Sequence, residues 1–79
     1  MTDAEILDKF ASILSDVAGV SAEDVELGKS LIDDLDIDSL SMVEIAMEVE
    51  KAMGIGIPDE QLQNLKTVAD VVNYIKANS

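Results

Sequence analysis

No cysteine, histidine, tryptophan or arginine occurs in this sequence, and proline occurs once. Without cysteine there is no disulfide framework and no thiolate metal site, so a reducing compartment is permitted. Without histidine the usual general base of serine or cysteine catalysis is missing. One phenylalanine and one tyrosine among 79 residues leave the core to Ile, Leu, Val, Ala and four Met. The N-terminal "MTDAEILDKFASILS" lacks a basic start and a continuous apolar run, so no signal peptide is expected. No stretch approaches membrane-spanning length. Positive charge is scarce as well: 17 acids face 5 lysines, for a net charge of −12. A nucleic acid or an anionic membrane is therefore not an expected partner, because phosphate contacts need cations. Basic protein surfaces are the natural complement of this charge, and a cytoplasmic monomer is expected.

What is present is helical periodicity. Hydrophobic residues make up 48% of the chain, too many for a disordered tail and enough for one small domain with a thin core. Thr2 or Asp3 can cap a first helix whose Ile6, Phe10, Ile13, Leu14 and Val17 recur at three- and four-residue spacing, with Gly19 as a stop. From Val20 to Ile37 the period fails. Val25, Leu27, Leu31, Ile32, Leu35 and Ile37 within that stretch predict a long connection that packs on the core. A second helix is predicted from Asp38 or Ser39 to about Gly54, with Asp38 as N-cap and Lys51 in the last turn. Pro58 suits the first turn of a short helix through "DEQLQNL". "TVAD" from Thr67 resembles a capping box with Asp in place of Glu, opening a last helix with Val68, Val71, Val72 and Ile75 inside. The expected fold is all-α, a four-helix bundle with a long first loop and a short third helix.

The unusual stretch is "DDLDIDSLSMVEIAM", where aspartates lead into Ser39. A carboxylate cluster opposes a developing alkoxide, and the nearest lysine, Lys29, lies across an irregular segment, so Ser39 is a poor nucleophile on its own. Asp34, Asp36 and Asp38 imitate the start of an EF-hand loop. The imitation ends where glycine should be, at Ser39, and where the bidentate glutamate should be, at Ile45. No designed metal site is expected. At about 100° per residue, Met42, Ile45, Ala46, Val49 and Met53 share one side of the second helix. Leu40, Val43 and Met47 share another, flanked by Glu44, Glu50 and Lys51. Burial of both stripes suits a helix apolar nearly all round; the acidic flanks favour an exposed docking face with Ser39 at its end.

"DLDIDSLSMVEI" resembles the D-S-L motif of acyl carrier proteins, and "IPDEQLQNLKTVADVVNYI" is similar to the third and fourth helices of that family. The resemblance covers essentially the whole chain as a single domain, residues 1–79. It implies that Ser39 carries 4′-phosphopantetheine, transferred from coenzyme A by a phosphopantetheinyl transferase, and that Asp38 is the motif aspartate. It implies further that Leu40, Val43, Glu44, Met47 and Glu50 dock on basic patches of fatty acid synthesis enzymes, and that the chain is a shuttle and not an enzyme. Ile45, Ala46, Val49, Met53, Leu62, Leu65, Val68, Val71 and Val72 are the residues expected to make room for an acyl chain. Ser41, often acidic in the family, and Lys51, which interrupts an acidic run, depart from the pattern. Alternatives are a carrier of polyketide or other carboxylic acids, and an acidic helical interaction module without a prosthetic group.

Overall fold

The structure, a computed structural model, describes residues 2–78. Among them are four α-helices and no strand: α1 (Asp3–Ala18), α2 (Ser39–Met53), α3 (Asp59–Leu62) and α4 (Val68–Asn78). The predicted four-helix architecture is the observed one. No helix among the described residues is long and apolar enough to cross a membrane.

Local signals account for most helix ends. The Thr2 hydroxyl accepts the Glu5 N–H and the Glu5 carboxylate reaches back to the Thr2 N–H, a reciprocal capping box that satisfies two otherwise orphaned donors. Gly19 and Gly54 close α1 and α2 at φ 69° and 71°, left-handed values that cost glycine no Cβ clash. Thr67 and Asp70 exchange bonds of 3.1 and 3.2 Å at the head of α4, so aspartate does serve in the capping box there.

The third helix differs from expectation. Pro58 is its N-cap, with extended ψ of 151°, and α3 ends at Leu62 rather than continuing to Leu65. After one turn the backbone tightens to i→i−3 bonds, Asn64 N–H to Gln61 O and Leu65 N–H to Leu62 O. That tighter winding brings residues three apart nearly into register, which sets the half-buried Leu62 and Leu65 side by side.

The core is aliphatic around one aromatic ring. Ile6, Phe10 and Leu14 of α1 are fully buried, as are Val49 of α2 and Val68 and Ile75 of α4. Helix α1 is the spine: it packs against both α2 and α4, while α3 packs against α2.

The first loop is structured. It contains a 3-10 turn at Ala22–Asp24 and buries Val25, Leu31, Leu35 and Ile37. Leu27 and Ile32 depart from the expectation of packing inward, being 44% and 56% exposed. Backbone pairing sets the path of this segment. Ser30 and Thr67 form an isolated bridge. Leu31 N–H bonds to Lys66 O, Val68 N–H to Lys29 O and Ala69 N–H to Leu27 O. These bonds fix the loop against the entry to α4, where Val25, Leu31, Leu35 and Ile37 fill the core and Leu27 and Ile32 are left at the surface. Asp36 then takes φ of 60°, a left-handed turn that aspartate tolerates better than most residues, between the buried Leu35 and Ile37.

Candidate functional site

Ser39 is the first residue of α2, exposed, directly after the N-cap. The helix starts there because Asp38 accepts the Ser41 N–H at 2.8 Å. That bond and a further one from the Ser41 side chain hold the Asp38 carboxyl below its usual range. A depressed folded-state pKa contributes stability that is present above the unfolded value, about 4, and is lost as pH falls through the folded value. Asp38→Ala should therefore lower the melting temperature at pH 7, and the gap to wild type should narrow on titration below pH ~4. A gap independent of pH between 7 and 2.5 would contradict an ionic cap.

Two apolar stripes meet at this helix, and the structure separates them. Met42, Ile45, Ala46 and Val49 are buried, with Met53 half-buried against the core. Leu40, Val43 and Met47 lie 77%, 44% and 53% exposed. Glu44 and Glu50 are exposed beside them. Lys51, the departure from an acidic run, is paired with Glu48 at 3.6 Å. The result is an apolar strip on the surface, bordered by carboxylates, that begins at Ser39.

A groove of about 570 Å³ opens beside Ser39. Ile32 of the loop, Met42 and Val43 of α2, and Leu62 and Leu65 around α3 supply its apolar lining; Ser30, Asp33, Asp59, Gln63 and Lys66 supply its polar lining. Of the nine residues associated with an acyl chain from the sequence, Leu62 and Leu65 line this groove. Ile45, Ala46, Val49, Val68, Val71 and Val72 are buried within the bundle. Ile32 and Met42 were missed as groove residues. Their apolar character was legible, but the groove depends on where loop, α2 and α3 meet, which local pattern does not encode. Among the described residues no group of three or more acidic, histidine or cysteine side chains is arranged to hold a metal ion.

An exposed serine at a helix start, beside a groove and an apolar strip, is an arrangement for receiving and presenting a group. The profile of the phosphopantetheine attachment site family matches residues 8–75. The chain belongs to the acyl carrier proteins. The acyl carrier protein of Thermobifida fusca is 56% identical over 75 residues, 95% of each chain. The meromycolate extension acyl carrier protein of Mycobacterium tuberculosis is 50% identical over 76 residues, 96% of this chain and 66% of that protein. A solved acyl carrier protein from Enterococcus faecalis, described for its high thermal stability, superposes with a TM-score of 0.81 at 38% identity over the whole of both chains. An acyl carrier protein works through a covalent 4′-phosphopantetheine group, whose terminal thiol holds the acyl group as a thioester. The local chemistry fits such a group. Ser39 offers an accessible hydroxyl, a helix N-terminus favours an anion, and the groove pairs apolar walls with hydrogen-bonding side chains.

Proposed function

We propose that Ser39 is the attachment residue and that this protein carries growing acyl chains to the enzymes of fatty acid synthesis. The observation that carries this reading is the exposed Ser39 at the head of α2, where the groove and the apolar strip converge. The Ser39 oxygen attacks the pantetheine-side phosphorus of coenzyme A and becomes the ester oxygen of the phosphodiester, while the pyrophosphate bond breaks and adenosine 3′,5′-bisphosphate leaves. The Ser39 proton leaves to a base supplied by the transferase, which is why the chain needs no histidine. The reaction site is then the partner's, and this chain acts as carrier and not as catalyst. The whole chain forms a single carrier domain and acts as a cytoplasmic monomer. Incubation with coenzyme A, Mg²⁺ and a carrier-protein transferase should place one phosphopantetheine on the peptide containing Ser39. An increment found on any other peptide would overturn the assignment.

The docking face is the strip of Leu40, Val43 and Met47 with Asp38, Glu44 and Glu50 around it, and its partners present Lys and Arg. Rim charges act mainly on association rate and salt dependence, while buried apolar contacts act on dissociation. Glu44→Lys should slow acyl transfer and flatten its dependence on salt. Met47→Ala should cost about 1 kcal/mol or more of partner affinity. Wild-type rates for both variants with several synthase enzymes would remove this face from the docking role.

The groove, and the bundle interior reached through it, receives the acyl chain. Each methylene taken out of water contributes about 0.8 kcal/mol, and Met42 adapts to new contents more readily than a branched side chain. The melting temperature should rise from the bare arm to medium-chain acyl forms and then level off. Leu62→Phe, which narrows the groove, should blunt that rise. A medium-chain form that melts no higher than the bare-arm form would place the chain outside.

A further inference from the structure

The five lysines are distributed unevenly with respect to Ser39. Lys51 pairs with Glu48 on α2, and Lys76 pairs with Asp3 at the far end of α4. Lys29 lines a separate cleft beside Asp24, Asp34 and Asp36, and Lys9 is exposed on α1. Lys66 is the one cation that lines the same groove as Ser39, and no described carboxylate forms an ion pair with it. The other charges on that groove, Asp33 and Asp59, are negative. A phosphodiester on Ser39 therefore meets two repelling carboxylates and one attracting ammonium.

We propose that Lys66 is a positioning residue for the prosthetic arm: its ammonium attracts the Ser39 phosphodiester and draws the arm along the groove rather than out over the docking strip. The inference rests on attachment at Ser39. The rest of the groove suits the chemistry of such an arm. Ser30 and Gln63 can hydrogen-bond its amides, and Ile32, Leu62 and Leu65 can cover its geminal methyl groups. Lys66 is held in place through its backbone, since its carbonyl accepts the Leu31 N–H at 2.9 Å. Its side chain can therefore be changed without removing the bond that fixes the loop. Attraction between exposed charges extends over roughly 8–10 Å in physiological salt, so direct contact is not required.

The test uses the pantetheine-loaded protein with isotope-labelled methyl groups. Peptide mass mapping of the same sample first establishes that the arm is on Ser39, so failure of that assignment is recognised separately. Wild type should show nuclear Overhauser contacts from the geminal methyls of the arm to the methyl groups of Leu62 and Leu65. In Lys66→Glu their intensity should fall by about half or more, and raising the salt concentration on wild type should move it the same way. Lys29→Glu makes the same change in net charge and should leave the contacts intact. Lys66→Gln, which removes the charge without reversing it, should lie between. Unchanged contacts in both Lys66 variants, an equal loss in Lys29→Glu, or no groove contacts in wild type would each overturn the proposal.

Discussion

Ser39→Ala is expected to fold like the wild type and to accept no phosphopantetheine at all. The fold should survive because the features that start α2 lie elsewhere. Asp38 caps the helix through the Ser41 N–H, Ser39 is exposed, and alanine is a good helix former. Modification should vanish because a transferase needs one accessible hydroxyl at the head of this helix. Ser41 is half-buried two residues further on, and Ser30 is held in the loop, its N–H bonded to Asp34 at 2.7 Å. The paired control, Ser41→Ala, should load normally, since the capping bond uses the Ser41 backbone. Circular dichroism and intact mass on both variants decide the matter. A Ser39→Ala protein that loads at Ser41 or Ser30 would sink the assignment.

Phe10→Ala is expected to leave the protein largely unfolded at neutral pH and low salt. Phe10 is the sole phenylalanine, fully buried among aliphatic side chains on α1, the helix that contacts both α2 and α4. Truncating a buried phenylalanine costs about 3–5 kcal/mol. A domain of this size has only about 5 kcal/mol to lose, and self-repulsion at −12 reduces that further. Added salt should recover part of the fold by screening. Denaturant titration reads the loss directly, and a change under about 1 kcal/mol would mean that α1 is not the spine of the core.

Much of this organisation is legible in the residues because it is local. The α1 face, the Asp38 cap and the Thr67–Asp70 box each lie within one or two turns, and the structure realises all three. The two stripes of α2 were also legible, and the acidic flanks pointed to Leu40, Val43 and Met47 as the exposed one, as observed; periodicity alone left burial of both stripes open. Periodicity gives the angle between Val43 and Ile45, while their burial depends on where α1 and the loop lie. The outward turn of Leu27 and Ile32 was hidden for a related reason. The path of that segment is set by backbone bonds to Lys66, Val68 and Ala69, partners more than thirty residues away that no local pattern names. The groove combines both problems, since its walls come from three separate segments. Ser39 and its exposed position at a helix start were legible from the short motif and its acidic flanks; its place on the groove came from the fold.

The most direct test of the central claim is the mass of the protein as its own host makes it. Peptide mapping should place a phosphopantetheine increment on Ser39, and a fraction of molecules should carry in addition an acyl group that hydroxylamine releases, as a thioester requires. Fatty acyl groups of graded length would mark the growing chains of synthesis. A chain that leaves its host unmodified, or that carries its increment away from Ser39, would contradict the account.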